Sequence, residues 1–261
     1  MPPPPALPTF WEFEAPDDWT AIDFISDLHL SAATPRTFEA WADYMRGTTA
    51  SAVVILGDLF EVWVGDDARH EGFEARCADV LAEAAAHRVV AFACGNRDFL
   101  VGGEMLRDCG VRALADPTVL VAFGERLLLS HGDALCLDDH EYQQFRSMVR
   151  APAWQREFLA RPLAERQKIA RSMREHSEQR KRSTAAEDWV DIDKATAVRW
   201  MHEAHAPTLI HGHTHRPAHE VLAPGYMREV LSDWDCDGPG VPRAEVLRLR
   251  GGGLTRIRLS P

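Results

Sequence analysis

Apolar residues in this chain fall into short runs that alternate with segments of helical periodicity. The runs are rich in β-branched and other apolar side chains, which is typical of buried strands. They cover residues 21–26, 52–56, 89–94, 127–130 and 208–210. Between the first three runs, residues 35–47 and 73–87 carry apolar side chains at intervals of three and four, as amphipathic helices do. This alternation predicts an α/β chain.

The C-terminal part of the chain has a different pattern. Three further strand-like segments follow one another with no helical segment between them, at residues 228–234, 244–250 and 254–260. We expect these segments to add an antiparallel portion that completes a second sheet. We set the proline-rich residues 1–20 apart as an N-terminal extension and assign residues 21–139 and 207–261 to one core.

Polar side chains that can bind metal ions follow each of the five predicted strands. They are Asp27, His29, Asp58, Asn96, His131, His211 and His213. The carboxyl ends of strands in an open α/β sheet face one crevice, so these side chains should meet there. If one carboxylate bridges, the set supplies four ligands to each of two ions and leaves positions open for water and phosphoryl oxygens. Oxygen and nitrogen ligands without thiolate suit Mn, Fe or Zn.

Composition indicates the compartment and the domain organisation of the protein. The chain has 261 residues, 46% of them hydrophobic, which indicates one domain carrying an insertion. The first twenty residues lack the basic start and apolar stretch of a signal peptide, and no run approaches the roughly 18 apolar residues of a spanning helix. The five cysteines are scattered and form no CxxC pair. We therefore expect a cytoplasmic protein without a disulfide framework.

Five short blocks in order along the chain carry a resemblance: DLH, GDLFE, GNRD, HGD and HGHTH. Together they resemble the calcineurin-like metallophosphoesterase superfamily. Longer stretches, among them LGDLFEVWVGDD and HGHTHRPAHE, resemble more narrowly the UDP-2,3-diacylglucosamine hydrolases of lipid A biosynthesis. The resemblance implies an α/β fold with four layers, an αββα sandwich of two mixed β-sheets, and a dinuclear metal site.

The resemblance also implies how the ligands divide between two divalent ions, for which we expect Mn²⁺. One ion would be held by Asp27, His29, Asp58 and His213, and the other by Asp58, Asn96, His131 and His211. Asp58 would be the bridge. His215 is expected at the rim, outside the ligand set, while Asp98 and Asp133 are expected to orient histidine ligands.

Arg97 distinguishes this chain from the ordinary phosphomonoesterases of the superfamily. Their sequences have a block that resembles GNHD where this chain has GNRD. Arginine cannot give up a proton near neutral pH, so the leaving group should not need one. A departing phosphate meets that condition, and a guanidinium can hold its oxygens bidentately. We interpret Asp58, Asn96 and Arg97 as the catalytic group; a surface ion pair is the alternative reading of Arg97.

The spacing of the polar clusters predicts a helical insertion over the crevice. Successive clusters are 31, 38 and 35 residues apart up to His131, whereas His131 and His211 are 80 residues apart. We assign residues 140–206 to this insertion because their pattern is helical. Residues 146–182 contain eleven Lys or Arg against four Asp or Glu, a local charge of +7 in a chain of net charge −11.

Apolar side chains interleave with the basic residues of the insertion, among them Trp154, Phe158, Leu163 and Ile169. We expect this amphipathic lid to shelter acyl chains and to dock on the anionic cytoplasmic surface of the inner membrane. A solvated helical face is the alternative. The acidic remainder of the chain disfavours nucleic acid as a partner.

The resemblance implies further substrate contacts beyond Asn96, Arg97 and His211. Asp139 matches an acidic residue on the uridine side of the substrate. The family's Ser-x3-Asn-x2-Lys spacing is matched at Ser177, but the next two positions hold Lys181 and Thr184. We therefore expect Ser177 and Lys181 to contact substrate, with Lys181 as a substitute for the family's residue.

The sequence as a whole predicts a metal-dependent pyrophosphohydrolase. The resemblance implies that the substrate is the lipid-linked nucleotide UDP-2,3-diacylglucosamine and that the products are UMP and 2,3-diacylglucosamine 1-phosphate. A soluble nucleotide pyrophosphohydrolase or phosphodiesterase is the first alternative, and an inactive scaffold with the phosphoesterase fold is the second. The oligomeric state is left open.

Overall fold

Two six-stranded sheets form the centre of the molecule. The computed structural model describes residues 6–183 and 190–260, with side chains for residues 6–174 and 190–260. Sheet A has the order β1 (Trp11–Glu14), β6 (Thr118–Ala122), β7 (Glu125–Ser130), β8 (Thr208–His211), β10 (Tyr226–Val230) and β9 (Ala218–Ala223). Sheet B has the order β12 (Gly253–Arg258), β11 (Glu245–Arg250), β2 (Ile22–Ile25), β3 (Ala52–Leu56), β4 (Val89–Ala93) and β5 (Arg112–Ala113).

Seven α-helices accompany the sheets within the part of the chain that the structure describes. They are α1 (Pro35–Gly47), α2 (Gly72–Ala85), α3 (Gly103–Asp108), α4 (His140–Val149), α5 (Pro152–Leu159), α6 (Leu163–Ser183) and α7 (Lys194–Glu203). Proline opens α1 and α5, where its missing N–H costs no helical hydrogen bond.

Three apolar clusters define four layers. Phe24 of sheet B and Leu129 of sheet A belong to the cluster between the two sheets. Trp41 of α1 packs in the cluster on the outer face of sheet B, and Trp200 of α7 packs in the cluster on the outer face of sheet A. The predicted αββα sandwich is therefore confirmed, and both sheets are mixed as expected.

Strand β3 illustrates why the central strands are apolar along their whole length. Val53 and Ile55 pack against the helices, while Val54 and Leu56 pack against sheet A. All five residues of the strand are buried because both faces of the sheet are covered. The strand therefore appears in the sequence as a continuous apolar run rather than as an alternating one.

The ends of the chain complete the two sheets. The C-terminal strands pair antiparallel, β9 with β10 and β11 with β12. At the other end, Trp11–Glu14 pairs in parallel with Thr118–Val121 and forms the edge of sheet A. This strand lies inside residues 1–20, so part of the proline-rich extension belongs to the folded core.

The helical insertion packs against sheet A with its last helix and lines a cavity with its first three. Its last helix, α7, packs under sheet A, where Trp200 and Met201 share a cluster with Leu128 and Leu209. Helices α4, α5 and α6, hereafter the lid helices, contribute side chains to the walls of a cavity near the polar strand ends. Within residues 6–183 and 190–260, no helix combines the length and apolar composition that crossing a bilayer takes.

Two charge contacts, each with one buried partner, connect the lid helices to the core. Arg166 of α6 is 3% exposed, forms a bidentate pair with Asp67 and donates to the carbonyl oxygen of Val64. Arg146 of α4 donates from Nε to Asp133 at 2.8 Å. Arg166 therefore serves as an anchor and is not available to a membrane surface.

Candidate metal centre

The polar residues that follow the strands do meet at one edge of the sandwich. Strands β2, β3 and β4 are parallel neighbours in sheet B, and β7 and β8 are parallel neighbours in sheet A. Their carboxyl ends therefore open in the same direction, and the loops that follow them face each other across the two sheets. We call this region the metal edge.

One group of donors at the metal edge is built around Asp27. His215 Nε2 lies 3.3 Å from Asp27 Oδ1 and 3.2 Å from His29 Nε2. These three side chains can place one ligand atom each within 4.8 Å of the others. Two imidazole nitrogens that face each other at this distance share at most one hydrogen, so at least one of them carries a lone pair, which a metal ion could take in place of that hydrogen bond.

A second group of donors is built around Asn96. Its side-chain oxygen Oδ1 lies 2.9 Å from His131 Nε2 and 2.8 Å from His213 Nδ1. Asp58 stands between the two groups, because its Oδ1 is 3.7 Å from His131 Nε2 and its Oδ2 is 4.0 Å from His29 Nε2. This position is the one that a bridging carboxylate needs.

The positions of His211, His213 and His215 differ from the predicted assignment. His215 occupies the place that sequence analysis gave to His213, beside Asp27 and His29, and His213 occupies the place given to His211, beside Asn96 and His131. His211 is still part of β8, and its fully buried ring donates from Nδ1 to the carbonyl oxygen of Gly212 at 2.8 Å. The turn after the strand, rather than the pleat of the strand, brings the imidazoles to the site.

Backbone strain is concentrated at the metal edge. Asp27, His29, Asp58, His213 and His215 all have positive φ, between 50° and 67°. Residues other than glycine rarely adopt this conformation, and where they do the surrounding structure must hold them there. Such residues cluster at functional sites, so the strain supports a functional role for this edge independently of residue type.

Two glycines permit the close packing of the carboxylates. A Cβ on Gly95 would lie 2.2 Å from Asp58 Oδ1, and a Cβ on Gly212 would lie 2.2 Å from Asp27 Oδ2. Both distances are far below van der Waals contact, so any side chain at either position would displace the carboxylate. The short motifs GN and HGH therefore contain glycine for steric reasons.

The charges at the metal edge fit a bound cation. Asp27 and Asp58 are both buried, and the described side chains closest to their oxygens are imidazoles and Ser26 rather than guanidinium or ammonium groups. Burial lowers the pKa of His131, but the carboxylates of Asp58 and Asp27 outweigh burial and raise that pKa to about 9. Burial and the charge of His131 lower the pKa of His213 to about 4. Carboxylate, amide and imidazole donors in this field suit divalent metal ions.

Two buried carboxylates behind the site hold backbone and lid rather than histidine rings. Asp98 accepts from the backbone N–H groups of Leu59 and Gly95, both at 2.8 Å. Burial and the nearby Asp58 raise the pKa of Asp98 to about 7. Asp133 accepts instead from Tyr142 and Arg146 of α4. The hydrogen bonds that the structure shows for Asp98 and Asp133 go to backbone N–H groups and to side chains of α4, not to histidine rings. The expectation that these two carboxylates orient histidine ligands is therefore wrong.

Arg97 and Glu61 form a charged wall next to the metal edge. The backbone N–H of Arg97 donates to Asp58 Oδ1 at 2.8 Å, and its guanidinium lies 3.6 Å from Glu61 Oε1. Glu61 also approaches His29 Nδ1 at 3.2 Å and Arg174 Nε at 3.1 Å. Burial would raise the pKa of Glu61, but His29 and the guanidiniums of Arg97 and Arg174 lower it to about 2.

Sequence analysis missed Glu61, although the residue is the last letter of the GDLFE block. The signal was its spacing, three residues after Asp58, within a block that otherwise supplied one ligand. The neighbours of Glu61 come from three separate segments of the chain, so its role could be recognised only after folding.

A cavity of about 800 Å³ extends from Asn96 and Arg97 beneath the lid helices. Its walls are mostly apolar and come from the loop after β3, the loop after β4 and all three lid helices. The lining apolar residues include Val62, Trp63, Phe99, Leu100, Phe145, Met148, Trp154, Phe158 and Met173. Trp154 stacks on Phe158 at 4.8 Å, which fixes one wall. A predominantly apolar cavity with a few polar groups at one end is the usual form of a ligand site.

Of the remaining predicted substrate contacts, the structure describes the side chain of Asp139 but not those of Ser177 and Lys181. Asp139 lies at the start of α4, where its side chain accepts from the backbone N–H of Tyr142 at 3.0 Å and caps the helix. Ser177 and Lys181 lie outside the residues whose side chains the structure describes, and Thr184 lies outside the described residues altogether.

Comparisons with known proteins show the family of this chain. The family model of the calcineurin-like phosphoesterases matches residues 20–217. A UDP-2,3-diacylglucosamine hydrolase of Chromobacterium violaceum is 50% identical over 92% of this chain and 99% of its own length. Proteins of the same name from Aromatoleum aromaticum and Bordetella pertussis are 45% and 41% identical, over 83% and 88% of this chain and 90% and 91% of their own lengths. The chain belongs to the calcineurin-like phosphoesterases and, within them, to the family of the UDP-2,3-diacylglucosamine hydrolases.

Proposed function

We propose that this chain is a metal-dependent pyrophosphohydrolase that cleaves UDP-2,3-diacylglucosamine to UMP and 2,3-diacylglucosamine 1-phosphate. The observation that carries the proposal is the mostly apolar cavity of about 800 Å³ that begins at Asn96 and Arg97. It offers space for acyl chains directly beside the metal edge. The names of the relatives support the same substrate.

The cavity favours an acylated substrate over a soluble nucleotide. Burying apolar chain in such a cavity contributes about 0.8 kcal/mol per methylene group, so a diacylated sugar gains substantial binding energy. A water-soluble dinucleotide has no acyl chain to cover the apolar surface that Phe99, Trp154 and Phe158 present to the cavity. This difference separates the proposal from the soluble nucleotide pyrophosphohydrolase.

We propose two Mn²⁺ ions as the cofactors and assign the ligands by geometry. One ion would be held by Asp27, His29, Asp58 and His215, and the other by Asp58, Asn96, His131 and His213. The proximity of these donors supports the division, which replaces the earlier placement of His211 and His213. Bound divalent ions would polarise the phosphoryl group and activate water as the nucleophile.

The chain's own residues contribute binding and orientation. Arg97 is held beside Asp58 through its backbone N–H, and its guanidinium lies at the end of the cavity nearest the metal edge. There it can donate to the oxygens of a diphosphate and stabilise the charge that develops when the phosphoric anhydride breaks. The departing sugar phosphate is already an anion, so no proton donor is needed at this position.

We also propose reversible docking of the lid on an anionic membrane surface. Met148, Leu159 and Met173 of the lid helices are exposed apolar residues, and Lys168 and Arg171 of α6 are exposed cations. Exposed apolar groups beside basic ones suit the interface of an anionic bilayer. The substrate would then reach the cavity without leaving the lipid phase completely.

The test compares three substrates with one preparation of Mn²⁺-loaded protein. UMP release is measured from UDP-2,3-diacylglucosamine in detergent, from a UDP-sugar without acyl chains and from a diuridine polyphosphate. We expect efficient hydrolysis of the acylated substrate alone, and none after chelation. Equal efficiency on all three substrates would replace the proposal with the soluble enzyme, and no hydrolysis of any would favour the inactive scaffold.

A further inference from the structure

Glu61 connects three parts of the molecule through one carboxylate. It lies in the loop after β3, three residues beyond Asp58, and its side chain is 12% exposed. Oxygen Oε2 faces His29 Nδ1 at 3.2 Å. Oxygen Oε1 faces Arg174 Nε of α6 at 3.1 Å and a terminal nitrogen of Arg97 at 3.6 Å. The two oxygens therefore point to different partners.

The charge of Oε2 favours a hydrogen on the nearer nitrogen of His29; the 3.2 Å contact lies outside hydrogen-bond geometry, and Nδ1 has no hydrogen-bond partner among the described residues. A carboxylate beside Nδ1 favours a hydrogen on that atom, which leaves the lone pair of Nε2 directed away from Glu61. Nε2 is the nitrogen that faces His215 and Asp58. Glu61 thus prepares His29 for the metal edge without touching the other donors.

The contacts of Oε1 bring two cations together. Arg97 and Arg174 would repel each other across the end of the cavity, and the shared carboxylate oxygen offsets that repulsion. Arg174 comes from the lid, and its helix is anchored eight residues earlier by the buried Arg166. Eight residues of helix span about 12 Å, so the anchor and the carboxylate together define where Arg174 sits.

We infer that Glu61 is a positioning residue that couples the lid helix α6 to the metal centre, holding His29 with one oxygen and the guanidiniums of Arg97 and Arg174 with the other. The inference rests on the proposed function for its kinetic consequences, since the two guanidiniums would bind the diphosphate of the substrate. Its consequence for metal affinity concerns the protein alone and needs no substrate.

The first measurement is Mn²⁺ binding to metal-free protein by calorimetric titration. Glu61→Ala should weaken Mn²⁺ binding by about 10- to 100-fold, as is typical when the partner of a metal-binding histidine is removed. Glu61→Gln has a single acceptor oxygen, which should turn to the two guanidiniums because charged donors bind it more strongly. We therefore expect Glu61→Gln to weaken Mn²⁺ binding as well.

The second measurement is a double-mutant cycle on kcat/KM. Arg174→Ala should lower kcat/KM by a larger factor in the wild-type background than in the Glu61→Ala background, with a difference of at least about threefold. In the Glu61→Gln background the effect of Arg174→Ala should lie between these two. Glu83→Gln is the matched control, because Glu83 pairs with Arg46 on the surface and both side chains are about half exposed.

The outcomes are distinct. Wild-type Mn²⁺ affinity in both Glu61→Ala and Glu61→Gln, with the fold intact by thermal unfolding, would overturn the contact with His29 as a positioning element. Multiplicative effects of Glu61→Ala and Arg174→Ala on kcat/KM would overturn the coupling to the lid. If the wild-type protein hydrolyses no UDP-lipid, the proposed function fails instead, while the Mn²⁺ titration still decides the role of Glu61 at His29.

Discussion

The metal edge and the lid face the same cavity but are held in place by different means. At the metal edge the backbone itself is constrained, with five donor residues at positive φ and Asp98 accepting four backbone N–H groups from the loops after β3 and β4. The lid helices are held by side-chain contacts with the core, chiefly Arg166 with Asp67 and Arg146 with Asp133. Changes at the edge should therefore alter metal binding, whereas changes in the lid should alter access and affinity for lipid.

The largest effect should come from Asp58→Ala. Because Asp58 lies between the two groups of donors, its loss should remove both ions rather than one, and hydrolysis should fall below detection. We expect metal affinity to drop by more than the roughly 100-fold seen for partners outside the ligand set. Elemental analysis of the purified variant is the measurement, and two retained ions in an active variant would refute the bridging role.

Arg97→Ala should have the next largest effect, and it should leave metal content unchanged. Removing a charged donor from the developing phosphoryl charge should cost about 2 to 4 kcal/mol of transition-state stabilisation, or roughly 30- to 1000-fold in kcat/KM. Steady-state kinetics of the metal-loaded variant give the number. Wild-type turnover with full metal content would show that Arg97 does not bind the phosphate.

The pair His215→Ala and His211→Ala sharpens the comparison within the metal edge. His215 faces Asp27 and His29, so its loss should weaken metal binding by at least about tenfold. His211 is fully buried in β8, so its loss should leave the metal content intact and reduce the free energy of unfolding by about 1 to 3 kcal/mol. The reverse result, with metal lost only in His211→Ala, would restore the assignment made from the sequence.

The smallest effects should come from exposed cations of the lid. Replacing Lys168 and Arg171 by Gln should weaken binding to anionic vesicles by about 1 kcal/mol for each cation removed, and salt should reduce the difference. Arg166→Ala is the contrasting variant, because it removes the anchor to Asp67 and should raise KM for the acylated substrate. Co-sedimentation with vesicles measures the first effect, and unchanged binding of the double variant at low salt would argue against membrane docking by α6.

Much of the fold and most of the metal edge could be predicted because they depend on local patterns. Continuous apolar runs identify strands that are covered on both faces, and the polar residue after each run lies at a carboxyl end by necessity. Six of the seven predicted donors do meet at one edge, namely Asp27, His29, Asp58, Asn96, His131 and His213. The exception is His211, because the sequence does not show where β8 ends and the turn begins.

The order of strands and helices, the residue types at the metal edge and the basic, amphipathic character of the insertion are therefore properties of the sequence, since each depends on neighbours a few residues away. The position of His215 beside Asp27 and His29, and the burial of His211, depend on the end of a strand and on the turn that follows it. The functions of Glu61, Asp133 and Arg166 depend on segments up to about a hundred residues apart in the chain. Such contacts leave no periodic signal in the sequence, because they form only when the sheets and the lid pack together.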